Sequence, residues 1–264
     1  MMTKRDLLNV IEFDSLIKLN YDIKLIKQNK YFTKKDFIDA LGKNLSIDEC
    51  EYIISLYKKN ISLNEISKNF LTIFRPTGNF LREKFVQHLL YKEIKGKLYN
   101  DIIFFEFPIK NNRTDITRIN GYSYAYEIKS VRDVLSRSIG QTKEFLSVFD
   151  YVYLIVDNDI DDVEIDEKVG IIKVIRKNGM INFKIVKKPK QTCKYDSLIQ
   201  LRLLQKKELL QINKKYDFCH DKSREDLQQS ILKKFDQNSI NLLFKHTLKE
   251  RYRRTWFENL KYIS

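Results

Sequence analysis

Apolar residues change their period along this chain. Over residues 1 to about 75 they recur at helical spacing, with no strong strand signal. "SIDECEYIISLYKKN" opens with Ser46 followed three residues later by Glu49, the arrangement of a capping box. "ISLNEISKNFLTIF" repeats that start with Ser62 and Glu65. Two short helices joined near Asn60 fit an ordinary helical hairpin or a helix-turn-helix whose second helix is "SLNEISKNF". Pro76 and Gly78 then punctuate the chain. "NFLREKFVQHLLYKEI" sets Leu81, Phe85 and Leu89 four apart, which predicts an amphipathic helix.

The pattern next shortens. "IIFFEFPI" (102–109) predicts a strand and residues 115–130 a hairpin. "VLSRSIGQTKEFLSVF" returns to helical spacing through Leu135, Ile139, Thr142, Leu146 and Phe149. Gly140 within it suggests close packing of this helix on the sheet. "YVYLIV" (151–156) is an unbroken apolar run, which predicts a strand buried on both faces. "GIIKVIRK" and "INFKIVKK", either side of Asn178-Gly179, predict a second hairpin, and beyond about 195 the chain reads as helical. Helix, three strands, helix, strand predicts an α/β fold with a mixed sheet covered by helices. The expected organisation is a helical segment 1–75, a sheet-containing core 76–190 and a helical segment 191–264.

Composition narrows the classes. Of 264 residues 43% are hydrophobic, enough for a sizeable core, and 7 Gly with 3 Pro argue against long disordered linkers. No run of roughly 18 apolar residues predicts a membrane span. "MMTKRDLLNVIEF" has no secretory pattern. Cys50, Cys193 and Cys219 lie far apart with no CxxC pair, which suits a reducing cytoplasm and gives no support to a zinc site. The formal net charge of +14 would attract polyanions, nucleic acid foremost. A Lys-, Ile- and Asn-rich coding bias would give the same basic surface.

The segment "DITRINGYSYAYEIKS" concentrates Asp115, Glu127 and Lys129 on one short hairpin. Glu127 and Lys129 are two apart in a strand and point to one face. A two-residue Asn120-Gly121 turn would put Asp115 on the other face. A three-residue loop, 120–122, would pair 119 with 123 and bring Asp115 opposite Glu127. The expectation is a shared face, by this loop or by a bulge.

With these residues in place, the sequence resembles the PD-(D/E)XK nuclease superfamily over roughly residues 77 to 157. "RTDI" supplies the acidic Asp115 and "YEIKS" the Glu127-Ile128-Lys129 triplet, while "LREKF" offers Glu83 on the preceding helix and "IGQTKEF" offers Gln141 on the following one. The proline of the name is replaced by Thr114. An "EIKS…Q" core with a helical C-terminus is also similar to a poorly characterised bacterial branch of that superfamily. The resemblance implies a restriction-endonuclease-like sheet and Mg²⁺- or Mn²⁺-dependent hydrolysis of phosphodiesters, in DNA before RNA, and endonucleolytic. Asp115, Glu127 and the Ile128 carbonyl would hold the metal, and Lys129 would orient water and stabilise developing charge. Glu83 would hold a second metal or its water, and Gln141 would position Lys129. Read as residues alone, Glu83 also fits a surface ion pair, Gln141 a solvent-facing position and the hairpin charges an exposed cluster. Some superfamily members dimerise to cut both strands, so a homodimer is allowed; no interface is legible.

The C-terminal "KHTLKERYRRTWFENLKYI" interleaves Arg251, Arg253 and Arg254 with Tyr252, Trp256 and Phe257, residue types that contact phosphates and stack on bases. The same segment can bury Leu248, Tyr252, Trp256 (or Phe257) and Leu260 at spacing four and turn its basic residues outward. Two other readings stand beside the nuclease. One is a non-catalytic DNA-binding protein using residues 46–70. The other is a partner-dependent subunit of a bacterial defence or mobile-element system.

Overall fold

A computed structural model describes residues 3–23, 34–74, 76–92, 101–130, 136–157, 164–177, 180–217 and 223–263. The chain divides into two compact units, Met1–Phe80 with Ile175–Asn182, and Leu81–Val174 with Phe183–Ser264. The C-terminal helices therefore belong to the same unit as most of the sheet.

The first unit is helical: α1 (Lys4–Asn9), α2 (Phe13–Ile23), α3 (Lys34–Asn44), α4 (Ile47–Tyr57) and α5 (Leu63–Phe74). Ser46 and Glu49 form the expected reciprocal cap of α4, and Ser62 Oγ accepts from Glu65 N at α5. Between these helices Asn60 takes a left-handed backbone, φ 56°, so Ile61 N can return to Leu56 O (3.2 Å) and close the carboxyl end of α4. Ile53, Ile54, Ile66, Phe70 and Phe74 turn inward with Cys50. Burial pushes the Cys50 thiol up to about 11.

The second unit holds most of a six-stranded sheet in sequence order β1 to β6: β1 (Ile102–Ile109), β2 (Asn112–Ile119), β3 (Ser123–Lys129), β4 (Tyr151–Val156), β5 (Gly170–Lys177) and β6 (Met180–Lys187). β1, β2 and β3 form an antiparallel meander, whereas β4 runs parallel to both β3 and β5. A parallel step needs a crossover, and between β3 and β4 it is α7 (Ser136–Leu146). β4 is apolar throughout because it is interior, with Val152, Leu154, Ile155 and Val156 at 2% exposure or less.

Helices cover both faces. On one, α6 (Gly78–Lys92) sets the Phe85 ring 5.0 Å from Tyr126 and 5.1 Å from Phe183. On the other lie α7 and the long C-terminal helix α11 (Gln237–Ile263), with Tyr252 stacked 3.9 Å from Phe104 and Phe107 near Phe244. Helices α8 (Ser197–Arg202), α9 (Lys206–Tyr216) and α10 (Arg224–Lys234) fill the chain between. Leu248 and Trp256 are buried, and Arg254 is exposed. Gly140 is exposed and a Cβ there would meet nothing within 4 Å. The close helix-to-sheet approach expected at Gly140 is therefore absent.

The Asp115–Glu127–Lys129 candidate site

The hairpin that carries the acidic residues turns through three residues rather than two. Ile119 pairs with Ser123, Gly121 takes φ 105°, and Asn120 N donates to Tyr122 O at 3.0 Å. Asn-Gly usually favours a two-residue turn. Here Tyr122 is the third loop residue, its ring 5.4 Å edge-on from Tyr151 of β4. The register Ile116↔Tyr126, continued one step, sets Asp115 opposite Glu127.

The ladder is also interrupted at this level. Phe105 pairs with Ile116 and Phe107 with Thr114, leaving Glu106 and Asp115 facing each other outside the regular pairing. Glu106 has φ 52°. Strict alternation would send Thr114 and Thr117 to opposite faces, yet their hydroxyls lie 2.8 Å apart. An irregularity of this kind re-aims a side chain. Asp115 reaches β3, where its Oδ2 accepts from Ile128 N at 2.6 Å.

Three charged or amide groups then meet. Lys129 Nζ lies 2.8 Å from Glu127 Oε1 and donates to Gln141 Oε1 at 3.1 Å. Glu127 is buried and Lys129 half-buried, so this pair sits where solvent screening is weak. A second bond ties α7 to β2, from Asn112 Nδ2 to Glu144 Oε2 at 2.8 Å. Burial pushes the Asp115 carboxyl above its ordinary value. The Ile128 amide and the charges of Arg82 and Lys129 oppose that rise, while Glu106 adds to it. Arg82 of α6 is ion-paired with Glu106.

The structure thus brings Asp115, Glu127, Lys129 and Gln141 to one place. Glu83 is exposed on α6, next to the Arg82 that reaches Glu106. Among the described residues no group of three or more His, Cys, Asp or Glu is arranged to hold a metal ion. The arginines are dispersed. Arg251 is bound into the fold, with Nε 2.7 Å from Glu208 Oε1 and Nη2 on Leu203 O at 3.1 Å. Arg253 pairs with Glu250 at 3.2 Å and Arg254 with Glu258 at 2.9 Å, both on the exposed surface.

Sequence reading missed a second polar centre. Asp150, 1% exposed, accepts at Oδ1 from Tyr195 (2.6 Å) and Asn241 Nδ2 (2.9 Å). At Oδ2 it accepts from Ser123 N (2.6 Å), Ser123 Oγ (3.0 Å) and Lys245 Nζ (3.0 Å). Burial would raise its pKa, but the bonds from Tyr195, Ser123 and Lys245 outweigh it and the carboxyl lies below its ordinary value. This centre ties α11 to the start of β3. The one available signal is an Asp immediately before a wholly apolar strand.

Positive charge is unevenly placed. Residues 183–264 hold 20 of the 49 Lys and Arg but only 9 of the 35 Asp and Glu. No helix of the described residues is long and apolar enough to cross a membrane.

Comparison with known proteins gives a family without a stated activity. Protein cII of Enterobacteria phage P4 is 30% identical over 173 residues, 63% of this chain and 64% of that protein. The chain thus spans just under two thirds of the curated relative's length. Among solved structures, the SPO1766 protein of unknown function from Silicibacter pomeroyi aligns with a TM-score of 0.33 and 13% identity. That alignment covers 52% of this chain and 88% of the other. The family described as bacteriophage P4 protein cII matches residues 77–262, a span that contains Glu83, Asp115, Glu127, Lys129, Gln141 and all three arginines. The chain belongs to the bacteriophage P4 protein cII family.

Proposed function

We propose that this chain is a metal-dependent nuclease that hydrolyses phosphodiester bonds, in DNA before RNA, at the Asp115–Glu127–Lys129 site. The observation that carries the reading is the Lys129 ammonium held between Glu127 and Gln141 beside an Asp115 that the strand interruption aims at β3. The run of α6, three antiparallel strands, α7 and a β4 parallel to β3 supports a restriction-endonuclease-like type of sheet.

The donor set suits Mg²⁺ or Mn²⁺. Asp115, Glu127 and the Ile128 carbonyl are hard oxygen donors from two neighbouring strands, and Asp115 is half-buried rather than sealed from solvent. Such an ion supplies Lewis-acid polarisation and a more acidic bound water. The chain's own residues do the rest. The Ile128 amide fixes the Asp115 carboxylate. Lys129 presents an ammonium to the phosphate, where negative charge develops, and Gln141 holds that ammonium in direction. Glu83 enters the proposal through the superfamily resemblance alone.

The test is incubation of supercoiled, linear and single-stranded DNA with Mg²⁺ or Mn²⁺, using Glu127→Ala and Lys129→Ala beside the wild type. The proposal predicts hydrolysis that both variants lose while retaining binding. A second reading has its own observation: the tight α4–α5 turn at Asn60, shared by helix-turn-helix units. In that case Lys68→Glu, on the exposed side of α5, would abolish duplex binding and no hydrolysis would occur with any metal.

A further inference from the structure

A groove of about 430 Å³ runs between α9 and α11. Its α9 wall presents Lys207, Gln211 and Lys215 at spacing four, all exposed. Leu243 and Glu250 stand on the α11 wall. Buried Ile212 and the Glu208–Arg251 ion pair lie along the α9–α11 contact.

Charge in this groove is one-sided. α9 carries four lysines, Lys206, Lys207, Lys214 and Lys215, and a single acid, Glu208. Glu208 is 5% exposed and is already claimed by Arg251, whose Nε lies 2.7 Å from Oε1. That pairing cancels the one negative charge of α9. Glu250, the other acid of the groove, is held by Arg253 at 3.2 Å. Among the described residues, none of the four lysines has an ion-pair partner. Lys215 Nζ lies 5.3 Å from the centroid of the Tyr216 ring, which also lines the groove. The surrounding chain adds to the imbalance, since residues 183–264 hold 20 basic residues against 9 acidic ones.

A cleft of one charge sign with apolar walls focuses its field on whatever enters, and Ile212 and Leu243 supply such walls. Lys207 and Lys215 are eight residues, about 12 Å, apart along the helix. Each can therefore meet a different phosphate of one strand, where phosphates are spaced at about 3.4 Å of axis. A lysine ammonium is a point charge on a flexible stem, without the planar fork that reads a base edge. We infer that the α9–α11 groove holds the sugar–phosphate backbone of DNA, with Lys207 and Lys215 on phosphates and no dependence on base sequence. This inference rests on the proposed function only in taking nucleic acid as the ligand. Its test reads binding with chelator present, so a failure of hydrolysis leaves it standing.

The experiment uses the full chain, EDTA and two end-labelled DNA duplexes of unrelated sequence, read by fluorescence anisotropy over a series of KCl concentrations. Each phosphate contact adds about 0.9 to the slope of log Kd against log salt. Lys207→Gln with Lys215→Gln should therefore lower that slope by about 1.8 on both duplexes. Lys207→Arg with Lys215→Arg, which keeps the charge, should restore it. Lys190→Gln, whose ammonium is already paired with Glu167 at 2.6 Å, should leave it unchanged. Both lysines are exposed, so thermal melts of the variants should overlay the wild type. A slope unchanged in the double glutamine variant, an equal fall in Lys190→Gln, or a wild type that binds neither duplex would overturn the inference. Hydrolysis with an unchanged slope would remove the groove and keep the nuclease; a lowered slope without hydrolysis would do the reverse.

Discussion

Replacing Asp150 with Asn tests how the C-terminal helix is held to the sheet. The side chain keeps its shape but loses the charge that faces Lys245 Nζ at 3.0 Å, and one acceptor becomes a donor against Ser123 or Tyr195. Asp150 and Lys245 are 1% and 8% exposed. Removing one member of a pair this deep leaves the other buried and uncompensated, a loss of about 3–5 kcal/mol. Whole domains are stable by about 5–15 kcal/mol, so the variant should be near the edge of folding at 37 °C. The single tryptophan, Trp256, is 1% exposed in the same helix, and its fluorescence reports the transition. With a urea slope of about 3 kcal/mol/M, the midpoint should fall by about 1–2 M. The pH dependence has a definite sign. The folded carboxyl lies below its ordinary value, so its stabilisation is present above the unfolded pKa of about 3.9 and is lost as pH falls through the folded one. The wild type should lose that contribution below about pH 4, and the variant should lack it throughout. A midpoint shift under about 0.3 M would refute the reasoning, because the pair would then be energetically idle.

Other outcomes follow from local geometry. Gly140→Ala should be neutral or stabilise by up to about 1 kcal/mol, since its Cβ meets open space, whereas Gly170→Ala should cost about 1–3 kcal/mol by pressing on Tyr153 and on Pro189 N at 2.8 Å; paired thermal melts decide both. Arg251→Gln should destabilise the fold through the loss of Glu208 and Leu203 contacts, while Arg254→Gln, whose side chain is 90% exposed, should leave the melt within about 0.5 kcal/mol and change only the salt dependence of nucleic acid binding. Thiol labelling with peptide mapping should modify exposed Cys193 well before Cys50, whose thiol is buried and pushed up to about 11.

Much of the fold was legible because burial writes itself into the pattern. β4 matches its apolar run residue for residue, since a strand covered on both faces tolerates little polarity; β1 also matches its run, although at the sheet edge it exposes Glu106 and Pro108. β2 starts at Asn112, before the expected 115, because the polar "NRT" still pairs with the end of β1. The hairpin register was open in the sequence: Asn-Gly pointed to one turn, and the packing of Tyr122 on Tyr151 accompanies another. The first unit ends at Phe80, inside the continuous α6, so no break in composition marks it. The Glu127–Lys129 spacing was readable from strand periodicity, whereas Gln141 entered only through the superfamily resemblance, since the residue alone also fitted a solvent-facing position. Asp150 and Lys245 were not readable, being 95 residues apart, nor was the pairing of Arg251 with Glu208 across α9 and α11. Charge patterns along one helix do not reveal which arginine a neighbouring helix will claim.

Strand scission of supercoiled DNA by purified protein, with Mg²⁺ or Mn²⁺ and then with chelator, tests the central claim most directly. The account predicts metal-dependent nicking that chelator stops, that falls at least about 10²-fold on Lys129→Met, the loss seen when one charge-stabilising donor is removed, and that Arg254→Gln preserves. Nicking unchanged in Lys129→Met and Glu127→Ala, or its absence with either metal from folded protein that still binds DNA, would contradict it.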